Sequence, residues 1–176
     1  MYGGFKGLNM NFPSAARSGN YDNRSLSDLE KAAEKSLKEI DELWEKASTY
    51  LAIKNRGGEL EYYPEMEQLS QVVANELPLL IEVNAAKDII SALAWAKEKQ
   101  ITPILTGVAE GWKVADKIAA AGIPVITGPV LALPTRNSDN YDAPYNNPAL
   151  LQKAGVKVAL RTMEAENVRN LPFHAG

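Results

Sequence analysis

The feature that most constrains the fold is a strand-then-helix pattern that recurs between residues 77 and 176. Short, mostly apolar runs suited to buried strands alternate with longer segments of helical periodicity. The predicted strands are LLIEV, TPILT, IPVIT and VKVALR, and the predicted helices are AAKDIISALAWAKEKQ, AEGWKVADKIAAAG and NPALLQKAG. Strands joined through helices run parallel with right-handed crossovers. Because the strands are almost continuously apolar, we expect both faces of the sheet to be covered.

This pattern predicts an α/β fold built from four parallel β/α units. An open α/β sheet has that pattern, and so does half of a TIM-like (β/α)8 barrel, of which four units are one half. The order of elements alone does not choose between these two architectures.

The first part of the chain has a different character. Residues 1–25 are rich in Gly, Asn and Ser, and we expect them to be irregular. A long amphipathic helix then begins at a capping box, Ser27-Asp28-Leu29-Glu30, and ends at Asn55-Arg56-Gly57-Gly58. A short helix follows from Pro64 to Ala74. The chain is therefore predicted to be one partial barrel domain, 1–176, with an irregular segment (1–25), a helical segment (26–76) and four β/α units (77–176).

Composition excludes several classes of function. The net charge of -3 and the pI of 5.3 give no electrostatic reason to expect a nucleic acid or an anionic membrane as a partner. There is no cysteine and only one histidine, His174, so Fe–S clusters, Cys-zinc sites and sites needing two histidines cannot come from this chain alone. No apolar run approaches the roughly 20 residues of a membrane span. Without a recognisable signal peptide, we expect a soluble protein of the cytoplasm or the periplasm.

Parallel α/β folds place their sites at the carboxyl ends of the strands. That rule selects five ligand-binding candidates: Asn84, Thr106, Glu110, Arg161 and Thr162. It also brings in Glu82, Gly107, Thr127, Gly128 and Glu164. The set is polar but has no nucleophile–base pair, and no glycine-rich phosphate loop is present. The catalytic residues therefore stay unknown, and Arg161 is the candidate for holding an anionic group.

Structural roles compete with binding at the strand ends. Asn84 is more readily explained as the cap of the helix that begins near Ala86. Glu82 is expected to face an ion partner or solvent. Glu110 lies in the first turn of a predicted helix, where the dipole favours a carboxylate. Arg161 could form a structural bridge to Glu164 or Glu166.

Residues away from the strand ends have simpler explanations. His174 is expected to be solvated, because it lies near the end of the chain. The aromatic residues Trp112, Tyr141 and Tyr145 are expected to contribute packing rather than a platform for a ligand.

Four segments resemble the amidohydrolase superfamily, and most of all its imidazolonepropionase-related branch. They are PLLIEVNAAKDIISALAWAKE, WKVADKIAAAGIPVITGPV, YDAPYNNPALLQKAGVKVAL and ENVRNLPFHAG. The resemblance runs from about Leu37 to the end, is strongest from Leu77, and depends on the order and spacing of the segments. It implies a TIM-like (β/α)8 barrel that hydrolyses C–N bonds of amides, cyclic amides or dipeptides, with zinc or iron activating a water molecule.

The resemblance also implies that the metal ligands are missing here. The family has a His-x-His pair on the first strand and a bridging carboxylate or carbamylated Lys on the fourth. A His follows on the fifth strand, another on the sixth, and an Asp on the eighth. If LLIEV is the fifth strand, this chain holds only the second half of the barrel. Asn84 then stands at the fifth-strand position, and Thr106 and Gly107 stand near the sixth. The segment Arg161–Glu164 offers no Asp, although Glu164 could substitute. We therefore expect no metal at Asn84 and no cofactor in this chain.

Three functions fit these observations. The first is a C–N hydrolase of the amidohydrolase family, represented by an incomplete chain that is inactive as given. The second is a metal-free barrel that binds a small molecule or a partner, and the third is a structural module without a ligand site. Whether the chain is an enzyme stays open.

Association with another chain follows from the strand count. Four parallel strands cannot close a barrel, and LLIEV and VKVALR would both be apolar edges. The open face would also expose the apolar side chains that fill a barrel interior. We therefore expect a two-fold homo-oligomer, or a partner that supplies the missing N-terminal half.

Overall fold

The chain forms one parallel β-sheet with helices packed against it. The computed structural model describes residues 6–16, 23–57, 61–134, 136, 138–163 and 165–175. The five strands lie side by side in the order of the sequence, and all four neighbouring pairs are parallel. They are β1 (Leu8–Asn11), β2 (Leu79–Val83), β3 (Ile104–Gly107), β4 (Val125–Thr127) and β5 (Val158–Leu160). The predicted class, an α/β fold of parallel β/α units, is confirmed.

The strand count differs from the prediction because β1 lies in the segment that we expected to be irregular. Leu8 pairs with Leu79 and Asn11 pairs with Glu82, so β1 adds a fifth strand beside β2. The segment LLIEV is therefore not an edge of the sheet. Residues 1–5 and 17–22 of the segment predicted to be irregular lie outside the described residues.

Among the described residues, six α-helices connect and cover the strands. They are α1 (Leu26–Asn55), α2 (Pro64–Val73), α3 (Ala86–Glu98), α4 (Ala115–Ala121), α5 (Ala143–Lys153) and α6 (Leu171–Ala175). A 3-10 turn, Gly111–Lys113, precedes α4, and a 3-10 segment, Ala165–Asn170, precedes α6. None of the described helices is long and apolar enough to cross a membrane.

The start of α1 corrects the predicted cap. Ser25, rather than Ser27, is the N-cap, and its hydroxyl oxygen accepts a hydrogen bond from the backbone N–H of Asp28 at 3.1 Å. Asp28 also accepts the Ser25 hydroxyl proton at 2.7 Å, so the helix is capped two residues upstream of the predicted position, through the serine hydroxyl rather than through a full capping box.

The hydrophobic core lies between the helices and one face of the sheet. On β2, Leu79, Ile81 and Val83 are buried against the helices. Trp95 of α3 packs edge-on against Trp44 of α1, with ring centroids 5.3 Å apart. These contacts fix the long helix on the outer layer, behind the sheet.

The opposite, concave face of the sheet is partly polar. One row across it reads Asn11, Glu82, Thr106, Ile126 and Ala159. Asn9 and Asn11 are exposed, and no described element covers this face. The expectation that both faces are covered is therefore wrong for the described part of the chain, and the open face is apolar only in part, because Leu80, Ile104 and Ile126 share it with polar side chains.

Candidate functional site

Glu82 is the centre of a polar cluster at the carboxyl ends of the strands. Its side chain leaves β2 on the open face of the sheet. The guanidinium of Arg161 lies 2.8 Å from Glu82 Oε1, and Thr106 donates its hydroxyl proton to Oε2 at 2.6 Å. The amide nitrogen of Asn84 makes a longer contact of 3.4 Å with Oε1. Three of the five predicted ligand-binding residues therefore meet at one carboxylate.

The charge of Glu82 is stabilised by its neighbours. Burial alone would raise the pKa of this carboxyl, but the hydrogen bonds from Arg161 and Thr106 and the charge of Arg161 outweigh it. The pKa of Glu82 consequently lies below its usual value, and the group is an anion paired with a cation at neutral pH.

The contact between Arg161 and Glu82 indicates that the sheet is curved. Arg161 directly follows β5, whereas Glu82 belongs to β2, three strand spacings away. On a flat sheet these strands would be about 14 Å apart, and side chains standing perpendicular to the sheet would not meet. The sheet must curl toward the open face, as in a barrel wall. The buried Nε of Arg161 makes no hydrogen bond to any residue that the structure describes.

Gly107 permits the close approach of side chains at this end of the sheet. Its φ of +83° is a conformation that side chains disfavour, and a Cβ here would clash with Asn84 and Glu82. Glycine at the end of β3 therefore lets the Glu82 cluster pack directly on the backbone.

A second charge cluster is centred on Glu110, which is only 1% exposed. Its carboxylate accepts the backbone N–H of Ala86, the first residue of α3, at 2.9 Å. It also pairs with Lys113 at 3.0 Å and with Arg136 at 2.6 Å, and Lys113 in turn lies 2.9 Å from Asp139. Burial alone would lower the pKa of Lys113, but its hydrogen bonds to Asp139 and Glu110 outweigh burial and raise it. The cluster fastens the segment after β4 to the start of α3.

A cavity of about 170 Å³ lies beside these clusters and is lined by Asn84, Gly107, Trp112 and Asp139, among others. Two more of its lining groups, Thr127 and Asn147, are saturated by internal hydrogen bonds. Asn147 donates to Val108 O at 2.9 Å and to the Thr127 hydroxyl at 3.1 Å, and it accepts from Trp112 N at 2.8 Å. These two residues hold the walls together. Asn84 and Asp139 also line the cavity, and both carboxylate oxygens of Asp139 accept hydrogen bonds from Lys113.

Several residues have roles that differ from the predicted ones. Asn84 does not cap α3, because the N-cap is Ala85 and the first N–H of the helix is satisfied by Glu110. Arg161 pairs with Glu82 rather than with Glu166, and Glu164 lies outside the described residues.

The remaining predicted residues also have defined positions. Glu110 belongs to the second cluster, and Thr162 is buried beside Arg161 in the chain. His174 is 7% exposed and accepts the Val130 N–H at 3.2 Å, so the expectation of a solvated histidine is wrong. Tyr141 and Tyr145 are exposed and do not serve as packing residues, whereas Trp112 lines the cavity.

The donor set at the strand ends does not fit a divalent metal ion. Asn84 and Thr106 offer neutral oxygens, and both oxygens of Glu82 already accept hydrogen bonds, one of them from a guanidinium. Strand β1, which precedes LLIEV in the sheet, has the sequence Leu-Asn-Met-Asn, without a carboxylate or a lysine. Within the described ranges, no three His, Cys, Asp or Glu side chains are grouped so that they could hold a metal ion.

Comparison with known proteins supports the fold. No protein-family model and no curated protein sequence matches the chain. The chain is similar to the crystal structure of an amidohydrolase from Thermotoga maritima MSB8, with a TM-score of 0.68 and 22% sequence identity. The match covers 91% of this chain but 42% of the other. At this identity the likeness concerns architecture, and the five curved parallel strands correspond to part of a TIM-like barrel.

Proposed function

We propose that this chain is a member of the amidohydrolase superfamily, on its imidazolonepropionase-related branch, that binds a small molecule without a catalytic metal. The resemblance of four sequence segments and the architectural likeness to a solved amidohydrolase support the family. The proposal that it binds a small molecule without a metal is based on the side chains at the carboxyl ends of the strands.

One observation carries the proposal: the carboxylate at the centre of the strand ends is neutralised by a guanidinium. A catalytic metal in such a barrel needs carboxylate or imidazole ligands that are free to coordinate it. Here Arg161 supplies the positive charge beside Glu82, and Thr106 occupies the other carboxylate oxygen. The site retains hydrogen-bonding capacity while lacking a nucleophile.

The bound molecule would lie between Asn84, Thr106 and Arg161. A second cavity of about 310 Å³ lies on the open face and is lined by Glu82, Thr106 and Arg161. Asn84 contacts Glu82 and also lines the 170 Å³ cavity, so it stands between the two spaces. Arg161 would hold an acceptor group of the ligand, such as a carboxylate, in addition to Glu82.

Thermal-shift screening with small carboxylates and carboxamides tests this function. A ligand of the site should stabilise the wild-type protein and lose at least tenfold in affinity with Arg161→Lys, which keeps the charge but not the planar fork. Lys153→Ala, on the exposed side of α5, is the matched control and should leave affinity unchanged. If substitutions at Asn84, Thr106 and Arg161 all leave the affinity of a ligand unchanged, that ligand binds elsewhere.

A second candidate is a hydrolase of C–N bonds in which other sequence supplies the metal ligands. The observation in its favour is that the chain spans 42% of the similar amidohydrolase, so most of that protein has no counterpart here. Genomic sequence upstream that encodes a strand ending in His-x-His would support the hydrolase. The lack of such a segment would favour the metal-free binding protein.

A further inference from the structure

A groove on the outer helical layer has a distinctive composition. It lies between α3 and α4 and has a volume of about 520 Å³. Ile90, Leu93 and Ile123 contribute apolar side chains, and Ile90 is 39% exposed. The charged residues that line it are both lysines, Lys97 and Lys117.

Both lysines are exposed, and neither ammonium group has a partner within the described part of the chain. Apolar pockets bordered by like charges favour a partner that combines a large apolar side chain with groups of opposite charge. The groove therefore fits an aromatic residue flanked by carboxylates.

The chain itself carries such a segment ahead of α2. Its sequence is Glu61-Tyr62-Tyr63-Pro64-Glu65, and all five residues are exposed. Tyr63 donates its hydroxyl proton to Glu61, two residues earlier in the same segment, at 2.7 Å. Tyr62 is 70% exposed, and neither it nor Glu65 has a partner in the described residues.

We propose that the groove between α3 and α4 binds Tyr62 of a second copy of this chain, with Glu61 and Glu65 of that copy facing Lys97 and Lys117. Applied reciprocally by a two-fold axis, the contact forms twice in one dimer. This surface differs from the open face of the sheet, where exposed Asn9 and Asn11 lie beside the Glu82–Arg161 pair. It also differs from the strand ends, so it does not depend on the function of the site.

Light scattering over a dilution series, combined with charge reversal, tests the interface. We expect a concentration-dependent dimer whose dissociation constant rises at least tenfold in Tyr62→Ser. It should rise similarly in Lys97→Glu/Lys117→Glu and in Glu61→Lys/Glu65→Lys, because each doubly substituted protein places like charges opposite each other in both contacts. All of these side chains are exposed, so the fold should be unaffected, which circular dichroism would verify.

The decisive arm mixes the two charge-reversed proteins in equal amounts. In the mixed dimer each groove again faces a segment of opposite charge, so a heterodimer should form at concentrations where each protein alone is monomeric. Asn11→Arg, which alters the open face, should leave the dimer intact. A wild-type monomer at all concentrations, a mixture that stays monomeric, or a dimer abolished only by Asn11→Arg would each overturn the proposal.

Discussion

Replacing Arg161 by methionine measures how much the Arg161–Glu82 ion pair on the open face contributes to the free energy of unfolding. Breaking a fully buried ion pair costs about 3–5 kcal/mol, whereas exposed pairs contribute about 0–1 kcal/mol. The side chains of Arg161 and Glu82 are 25% and 26% exposed, so this pair lies between the two limits. The substitution also removes the buried Nε–H, whose missing partner costs the folded state about 1 kcal/mol or more. The expected net loss is about 2 kcal/mol at pH 7, or about 4–8 °C in Tm for a domain of this size.

This loss should shrink as the pH falls. The pKa of Glu82 is lower in the folded wild-type protein than in the unfolded chain. Its contribution is therefore fully present above the unfolded value, about 4.3, and is lost as the pH falls through the folded-state pKa. In Arg161→Met, burial is opposed only by the hydrogen bonds from Thr106 and Asn84, so the pKa of Glu82 should be higher than in the wild type and protonation should cost the folded variant less.

Urea unfolding of both proteins at pH 7 and pH 4 measures the effect. Glu82→Gln and the double variant complete a cycle that separates the pair from the two single side chains. A loss under about 0.5 kcal/mol at pH 7 would refute the reasoning, and so would a loss that is the same at both pH values.

Three further outcomes are expected. Gly107→Ala should destabilise the protein by about 3 kcal/mol, since it adds a clash with neighbouring side chains to an unfavourable φ. Gly155 also has a positive φ, +94°, but a Cβ added there would meet no other atom. Gly155→Ala should therefore cost only about 1–2 kcal/mol when both variants are compared by thermal unfolding. Glu110→Gln should cost about 1–2 kcal/mol in urea unfolding, because the buried carboxylate loses the charge that pairs with Lys113 and Arg136, although Lys113 keeps Asp139 as a counter-ion. An exposed control, Asp116→Asn, should stay within about 0.5 kcal/mol, and equal losses would contradict the role of the cluster. Elemental analysis of purified protein should find no stoichiometric zinc or iron at the strand ends, and metal that disappears with Asn84→Ala would contradict this.

The alternation of strands and helices from Leu79 onward was predictable because each segment carries its own periodicity. Strand β1 was missed for the corresponding reason. In Leu-Asn-Met-Asn only every second residue is apolar, and the surrounding glycines and asparagines are typical of irregular chain. The two asparagines are tolerated because they point to the open face, and that face cannot be known before the sheet is assembled.

The candidate site was predictable only in part. The strand-end rule selects Asn84, Thr106 and Arg161, and for Glu82, a glutamate inside an apolar strand, the sequence left an ion partner and solvent as alternatives. Sequence neighbours could not identify that partner, because Arg161 lies 79 residues from Glu82. For Arg161 itself, the nearby Glu166 was the more obvious partner. The cap of α3 is likewise supplied by Glu110, 24 residues after Ala86, whereas local rules pointed to the adjacent Asn84.

The pairing of β1 with β2 also has a consequence for the order of folding. Joining Asn11 to β2 closes a connection that contains both α1 and α2, about three times longer than the one between β2 and β3. Loop-closure entropy makes this step about 1 kcal/mol more costly. The four residues of β1 form few hydrogen bonds with β2 to offset that cost. We therefore expect β1 to pair with the sheet last during folding and to separate from it first during unfolding. Amide exchange would then be faster at Leu8–Asn11 than in the inner strands β2 and β3. Removing residues 1–12 would convert β2 from an inner strand into an apolar edge open to aggregation.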